Sequence, residues 1–495
     1  MTTRNLASRQ LRGISHPMRI DAGASNPIYR QIYEAYRARI RNGSLHVGEL
    51  VPSTRELARE LGVSRAPLLN AYAQLLAEGY FECRVGAGTF VSASLPQSTS
   101  TAKRNANFAG RRETATNAAA LPHYERPTWA ESLGPFQVGQ PALQDFPIEI
   151  WSRLIARLSR QMGVGALMYG DPMGLRSLRE VLANYLRLAR AVRCDADQIM
   201  IVSGSQQALD LTTRVLLGAG ESAWVEEPGY WLIHYVLKAS GCRIVPVPVD
   251  DEGLNVSEGM KLDRTAHAAF VAPSHQYPLG VTMSVTRRFE LLQWAQTAGA
   301  WIVEDDYDSE YRYDSMPIPS LQGMDADHRV IYIGSFSKVL FPSLRIGYIV
   351  IPPDLIERFA AVRQATDMCP AHASQAALAQ FIREGLFSRH IRKMRKLYEE
   401  RRRLLVEAVR SELGDTCQLV GDKAGMHIAL LFDDRMPDAK IAAQAVQHKL
   451  WLSALSLSYA GSEPRRGFVL GFGNSPATRI KPAVRLLKRL LEGRH

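Results

Sequence analysis

The sequence predicts a multidomain chain, in which a small, mostly helical α+β domain precedes a large α/β domain that ends in a smaller α+β subdomain. Two observations predict this organisation. The 495 residues exceed what one hydrophobic core usually supports. Helical periodicity near the N-terminus gives way to a polar stretch, after which short β-branched runs alternate with helical segments.

The small domain begins with a helix, because apolar residues recur at helical spacing from Pro27 to Arg41. Ser53 can cap a second helix, ELARELG, and Ser64 a third, from Arg65 to Glu78. The second and third helices form a predicted helix-turn-helix. Two alternating runs around VGAG then predict a β-hairpin, which would be its wing.

Composition predicts the domain boundaries. Residues 1–26 form a tail and residues 27–95 the helix-turn-helix domain. Residues 96–130 are rich in Ser, Thr, Ala and Asn without apolar periodicity, which is typical of a flexible linker. The large domain would occupy residues 131–495.

The large domain has the pattern of a largely parallel sheet covered by helices. The runs QIMIVSG, SAWVEE, AAFVAPS, AWIVEDD and RVIYIGS predict strands, and segments such as SQQALDLTTRVLLG predict the helices between them. Helices dominate after about Pro352. The weaker runs HIALLF and GFVLGFG then predict the smaller α+β subdomain.

Charge and composition limit the function classes. The net charge is +11, and residues 1–110 hold fourteen Lys or Arg against seven Asp or Glu, which favours a nucleic-acid partner at that end. No apolar stretch approaches a bilayer span and no signal peptide is apparent, so we expect a cytoplasmic protein without a membrane partner. The five cysteines are scattered, so we expect no metal.

The segment from Leu50 to Val91 resembles the winged helix-turn-helix of the GntR family of regulators. The resemblance implies binding to an operator in double-stranded DNA. It places one arginine on the phosphate backbone, the start of the recognition helix in the major groove, and an arginine with two glycines in the wing. In that order these residues are Arg55, then Ser64 and Arg65, then Arg84, Gly86 and Gly88. The sequence Ala-Pro-Leu-Leu after Arg65 departs from many relatives, so the bases remain open.

Side chains suited to a phosphate-bearing aldehyde cofactor follow in the large domain. Lys338 comes after a β-run together with Ser335, Ser337 and Arg345, which pairs a nucleophile with phosphate ligands. Asp305 ends another β-run, where a carboxylate can hold a pyridinium proton. A helix that opens after a strand can present donors to the phosphate from Gly204, Ser205 and Gln206.

Residues 131–495 resemble the fold-type I aminotransferases, which bind pyridoxal 5′-phosphate. The resemblance implies that Lys338 forms the Schiff base and that Tyr307 reaches the ring hydroxyl. It implies further that Tyr230 faces the ring and that Gln276 lies in the loop near the ring oxygen. Tyr169 corresponds to the tyrosine that these enzymes donate to the neighbour's phosphate, which implies a homodimer.

Together the two resemblances identify the chain as similar to the MocR subfamily, regulators whose aminotransferase-like domain senses an effector. Aminotransferases usually hold the substrate carboxylate with an arginine near the C-terminus, but Val469 occupies that position here. Arg465 and Arg466 lie in a predicted polar turn. We therefore expect a regulator that responds to pyridoxal phosphate, an amine or an amino acid. The alternatives are a transaminase with a DNA-binding head and a DNA-binding protein whose large domain only dimerises.

Overall fold

A computed structural model describes Met18 and residues 20–21, 23–93, 121–122, 133–313, 318–461 and 463–493. These residues fall into two compact units, divided between Glu113 and Thr114. The predicted tail, residues 1–26, and the predicted linker, residues 96–130, lie largely outside the described residues. Within the described ranges, none of the helices is both long and apolar enough to cross a bilayer.

The first unit contains three helices and three short strands in its described part. They are α1 (Ile28–Arg41), β1 (Leu50–Val51), α2 (Thr54–Leu61), α3 (Arg65–Ala77), β2 (Phe81–Arg84) and β3 (Gly88–Val91). The strands form an antiparallel sheet in the order β1, β3, β2. This is the predicted helix-turn-helix with its hairpin, and α3 ends one residue earlier than predicted.

Local sequence explains the ends of α2. The Ser53 hydroxyl accepts a hydrogen bond from the Glu56 amide, and the Glu56 carboxylate accepts one from the Ser53 amide, which closes a capping box. Gly62 ends the helix in the left-handed conformation, at φ +66°. Ser64 stands at the N-cap of α3, but its hydroxyl makes no cap hydrogen bond, contrary to our prediction.

The second unit contains the remaining described elements. Its helices are α4 (Ile148–Arg160), α5 (Arg176–Arg190), α6 (Ser205–Leu216), α7 (Trp231–Ala239), α8 (Val256–Asp263), α9 (Val285–Ala298), α10 (Leu321–Met324), α11 (Ile356–Thr366), α12 (His372–Arg383), α13 (Leu386–Leu413), α14 (Asp438–Gln447) and α15 (Ala477–Leu491). Its strands are β4 (Ile199–Val202), β5 (Ser222–Glu227), β6 (Arg243–Asp250), β7 (Gly253–Leu254), β8 (Ala268–Val271), β9 (Trp301–Asp306), β10 (Val330–Ser335), β11 (Gly347–Val350), β12 (Gln418–Val420), β13 (His427–Leu431), β14 (Ser453–Ala454) and β15 (Gly467–Gly471).

The main sheet has the order β4, β11, β10, β9, β8, β5, β6, β7. The five strands from β10 to β6 run parallel, whereas β11 is antiparallel to both of its neighbours. Parallel strands bring their carboxyl ends to one edge of the sheet, where α/β proteins bind ligands. The ends of β5, β8, β9 and β10 therefore mark the region of the candidate site.

A second sheet, in the order β12, β13, β15, β14, is antiparallel throughout and belongs to the smaller subdomain. The predicted fold class is confirmed. Strands β1, β6, β7, β11, β12 and β14 were not predicted, since they are short or carry prolines and site residues that obscure strand periodicity.

Candidate functional site

The start of α3 presents polar groups that are free to meet a ligand. Ser64 and Arg65 are exposed, and the Arg65 Nε donates a hydrogen bond of 3.1 Å to the Thr54 hydroxyl on α2. This bond joins the two helices of the helix-turn-helix. Arg55 is also exposed, on α2. The described residues thus offer two guanidinium groups and a hydroxyl on adjacent helices.

The hairpin holds its arginine more tightly than the sequence suggested. Arg84 donates from Nε and Nη2 to Glu82 Oε1, at 3.0 and 2.7 Å, and its guanidinium lies 4.5 Å from the centre of the Phe90 ring. Gly86 and Gly88 have φ values of +75° and +118°, which only glycine adopts readily. The turn therefore depends on both glycines, and Glu82 is a neighbour that sequence reasoning missed.

In the second unit, Lys338 lies three residues beyond the end of β10. Its amine donates a 2.9 Å hydrogen bond to the Gly139 carbonyl. Burial lowers the pKa of Lys338, and the carboxylates of Asp308 and Asp305 oppose that shift. A lowered pKa increases the fraction of neutral amine, which is the nucleophilic form.

Asp305 stands near the end of β9 with one oxygen in need of a donor. Its Oδ1 is buried and has no hydrogen-bond partner among the described residues. Burial and then the charge of Asp306 raise the pKa of Asp305 to about 7, although Lys338 opposes the shift. Tyr307 follows two residues later and shares its face of the chain. Burial and then Asp308 raise the pKa of Tyr307 well above 10, so its phenol stays protonated.

The neighbouring Asp306 has a structural role instead. Its Oδ2 accepts a 2.8 Å bond from the buried Arg190 guanidinium and another from the Tyr332 hydroxyl. Arg190 also donates to the Ser274 hydroxyl at 2.7 Å. Of the two adjacent carboxylates on β9, Asp306 therefore bonds within the core, and Asp305 belongs to the candidate site.

The N-terminus of α6 forms the opposite end of the site. Gly204 has φ +98° and precedes Ser205, the first residue of the helix. The Gln206 amide donates to the Leu232 carbonyl at 3.3 Å, and its buried Oε1 has no partner among the described residues. A Cβ at Gly204 would lie 3.1 Å from Arg345 Nη1. Free helix N–H groups beside a guanidinium are suited to a phosphate.

Serine and tyrosine side chains complete this region. Ser335 accepts a 3.2 Å bond from the Ser337 amide, so the two serines form a tight turn directly before Lys338. Burial raises the pKa of Tyr230; Asp305 raises it further, whereas Arg345 lowers it. The Tyr230 hydroxyl is therefore within electrostatic range of both Asp305 and Arg345.

The Gln276 side chain is held by hydrogen bonds within the protein. Its amide nitrogen donates to the carbonyls of Pro228 and Tyr277, and its oxygen accepts a 3.1 Å bond from the Leu279 amide. The side chain is only 1% exposed. These hydrogen bonds stabilise the loop in which Gln276 lies, and the role of Gln276 near the ring oxygen stays a prediction.

Three buried side chains near Tyr307 were not predicted. His275 Nδ1 lies 3.0 Å from Asp308 Oδ1 and 3.2 Å from the Tyr307 hydroxyl. His427 lies beside His275, with ring centres 4.7 Å apart. One ligand-type atom from each of His275, Asp308 and His427 lies within 4.8 Å of the others. No sequence spacing could reveal this cluster, since its members come from three distant segments.

Tyr169 lies apart from these groups on an exposed segment. It is 83% exposed and follows the short 3₁₀ helix Val164–Leu167. Val164, Leu167 and Met168 are also strongly exposed, although they are apolar. Large exposed apolar groups in one segment are typical of protein–protein contacts.

Comparison with known proteins gives matches to both units. The family model "Bacterial regulatory proteins, gntR family" matches residues 28–91. The model "Aminotransferase class I and II" matches residues 136–462.

Two relatives match almost the whole chain. The "Probable rhizopine catabolism regulatory protein MocR" of Rhizobium meliloti is 38% identical over 95% of this chain and 94% of its own length. The "HTH-type pyridoxine biosynthesis transcriptional regulator PdxR" of Corynebacterium glutamicum is 30% identical over 92% of this chain and 94% of its own. A crystal structure of Pyrococcus horikoshii kynurenine aminotransferase in complex with PMP covers 77% of this chain and 97% of the enzyme, at 28% identity and a TM-score of 0.71.

Proposed function

The chain belongs to the MocR subfamily of GntR-family transcription regulators, and on that premise we propose that its large unit binds pyridoxal 5′-phosphate and senses an amine or amino-acid effector through it. One observation carries the proposal: Asp305 Oδ1 is buried without a hydrogen-bond partner among the described residues, and it interacts electrostatically with Lys338. Burial lowers the pKa of Lys338. A pyridinium N–H is the donor that such a carboxylate lacks.

The residues of the chain fit the cofactor at both of its ends. Lys338 would hold it covalently, and Asp305 would keep the ring nitrogen protonated. Arg345, Ser205 and the first N–H groups of α6 would bind the phosphate. Tyr230 would cover the ring. When bound, pyridoxal phosphate supplies an electrophilic carbon and an electron-withdrawing ring; the protein supplies position and charge.

The surroundings of Val469 support sensing over turnover. Val469 is fully buried on β15 and packs with Leu279, Leu431 and Leu455. An arginine at this position would grip a substrate carboxylate, and an apolar side chain cannot. Of the two nearby arginines, Arg466 lies 3.5 Å from Asp438 and Arg465 is exposed. We infer that the effector is recognised chiefly through its amine.

The proposal includes two further parts. Residues 27–95 bind operator DNA through the groups of α2, α3 and the hairpin, and residues 131–495 form a homodimer in the cytoplasm. The exposed apolar segment that ends in Tyr169 supports the dimer, because a second copy would cover it. In that dimer Tyr169 would reach the phosphate of the neighbouring subunit.

Visible absorption spectra test the proposal. Wild type titrated with pyridoxal phosphate should develop a visible band, and borohydride reduction should attach the cofactor irreversibly to Lys338. Lys338→Ala should lose the band, whereas Lys238→Ala, an exposed lysine on α7, should keep it. A wild-type protein without the band, or a band that survives in Lys338→Ala, contradicts the proposal.

Binding assays with operator DNA test the sensor part. Cofactor and effector should change DNA affinity or DNA bending. If both stay constant while steady transamination occurs and depends on Lys338, the protein is instead a transaminase with a DNA-binding head.

A further inference from the structure

We propose that His275 and Asp308 form a positioning pair that fixes the Tyr307 hydroxyl as a hydrogen-bond donor to the ring oxygen of the cofactor. The inference rests on the proposed function, because it assigns a role toward pyridoxal phosphate. It concerns residues that sequence reasoning did not single out, and it is carried by their mutual geometry.

The three groups meet at one nitrogen atom. His275 Nδ1 lies 3.0 and 3.2 Å from the two oxygens of Asp308 and 3.2 Å from the Tyr307 hydroxyl. Both His275 and Asp308 are 2% exposed. A Cβ at Gly425 would lie 1.9 Å from His275 Cε1, so glycine at that position leaves the space that the imidazole fills.

The direction of these hydrogen bonds follows from the carboxylate. An ionised carboxylate only accepts, so His275 Nδ1 must carry the hydrogen that lies between it and Asp308. Asp308 Oδ2 also accepts from the Met426 amide at 3.2 Å, and the positive charge of Arg312 acts on the same carboxylate. Because Nδ1 already carries a hydrogen, Tyr307 cannot donate to it. The Tyr307 oxygen instead shares the Nδ1 hydrogen with Asp308 as a second acceptor, and its own hydrogen is left for the ring.

Charged and titratable groups surround Tyr307 from every neighbouring segment. They are Asp305 and Asp308 on its own segment, Glu226 at the end of β5, His275 and Tyr277 in the loop after β8, Lys338 after β10, and His427 on β13. Burial and the carboxylates of Asp308, Asp305 and Glu226 keep the phenol protonated. The donor that the pair orients is therefore present up to at least the ordinary pKa of a tyrosine.

The contacts favour this role over a metal site. In a metal site, the ligand atoms would face a common centre, whereas His275 Nδ1 faces Asp308 directly. His427 Nε2 lies 3.2 Å from the Pro278 carbonyl, which is a contact for an N–H. Burial lowers the pKa of His427 well below its usual range, so this ring stays neutral beside the pair.

The decisive variant is Asp308→Asn. The Met426 amide requires an acceptor, so the new amide oxygen should take that place and turn its NH₂ toward His275. Nδ1 then becomes an acceptor and captures the Tyr307 hydrogen, although the phenol remains. Asp308→Asn should therefore behave like Tyr307→Phe. A donor to the ring oxygen stabilises its anionic form, so both variants should raise the pH midpoint of the visible absorption change by about one unit.

Other substitutions at the cluster sharpen the test. His275→Phe should raise the midpoint in the same way, and His275→Asn should recover part of the wild-type value, because an asparagine amide can place an N–H close to the position of Nδ1. His427→Gln is the matched control, since His427 makes no hydrogen bond to Tyr307; its midpoint should stay at the wild-type value. Thermal unfolding of each cofactor-free variant reports whether it folds.

A cofactor-independent measurement separates this inference from the proposed function. The ¹⁵N chemical shifts of the imidazole, assigned by difference with His275→Phe, should place the hydrogen on Nδ1 in wild type and on Nε2 in Asp308→Asn. A hydrogen on Nε2 in wild type, or an unchanged midpoint in Asp308→Asn, overturns the pair. The pair is also overturned if His427→Gln shifts the pH midpoint as much as His275→Phe does, or if the purified protein contains a stoichiometric metal. If the visible band is missing, the proposed function is wrong, and the tautomer of His275 alone tests the inference about the His275–Asp308 pair.

Discussion

Replacing Asp305 with asparagine is expected to stabilise the cofactor-free protein above pH 7 and to weaken cofactor binding. Burial raises the pKa of Asp305 from 3.8 to about 7. A carboxyl group with a raised pKa in the folded state stabilises the fold fully below the unfolded pKa, and this contribution is lost as the pH rises through about 7. Asparagine resembles the neutral form at every pH, so the variant avoids that loss.

The size of the Asp305 pKa shift sets the expected change in the free energy of unfolding. Three units of pKa correspond to at most about 4 kcal/mol at alkaline pH. Asp305 as a whole is only half-buried, although its Oδ1 is shielded, so solvent screening should reduce the measured difference to about 1–2 kcal/mol. The loss of a hydrogen bond between charged groups should weaken binding of pyridoxal phosphate roughly tenfold to a hundredfold.

Urea unfolding of the cofactor-free proteins at pH of about 6 and about 9 is the assay. All seven tryptophans lie beyond residue 127, so tryptophan fluorescence reports unfolding of the second unit alone. The neighbouring Asp306→Asn is the control. It breaks a buried ion pair with Arg190 and should lose about 3–5 kcal/mol at both pH values. If Asp305→Asn is no more stable than wild type at the higher pH, the reasoning about its buried oxygen is wrong.

Three further predictions concern the DNA-binding groups, the lysine and the dimer. Arg65→Ala should weaken the free energy of binding to a selected operator by about 1–3 kcal/mol and relax sequence specificity. Arg55→Ala should weaken binding to all DNA sequences and reduce the slope of log affinity against log salt by about one. Anisotropy titrations in increasing salt measure both effects. Gly139→Ala should change the pH at which the visible band forms while the fold persists in circular dichroism, because the new Cβ would lie 2.4 Å from the Lys338 amine and displace it from its hydrogen bond to the Gly139 carbonyl. Leu167→Asp, at an exposed apolar position, should halve the mass measured by light scattering, and an unchanged mass would contradict the proposed interface.

The parts of the fold that follow from local pattern were predictable. The capping box of α2, the glycine turn of the hairpin and the parallel strands each depend on a few neighbouring residues. The position of β11 between β4 and β10 was not predictable, because strand order depends on packing between distant segments. Arg345, two residues before β11, had been assigned to the cofactor site, and no strand was predicted after it.

The candidate site divides in the same way. Asp305 lies in β9 and Tyr307 follows the last residue of that strand, so their shared face follows from the strand period. His275 and Asp308 are separated by 32 residues, and only the adjacent ends of β8 and β9 bring them together. Gln276 was named through the resemblance to aminotransferases alone, and sequence could not show that its side chain bonds to backbone groups of its own loop.

The hydrogen bond between the Lys338 amine and the Gly139 carbonyl has a consequence for communication along the chain. Gly139 lies in the stretch through which the polypeptide enters the second unit, before α4. When the Lys338 amine binds a ligand, it no longer donates to the Gly139 carbonyl. Occupancy of the site would therefore remove one hydrogen bond that holds the segment before α4. The hydrogen bond would then be present when the site is empty and absent when it is occupied. The change would affect the residues that precede α4, on the side of the chain that leads from the DNA-binding unit.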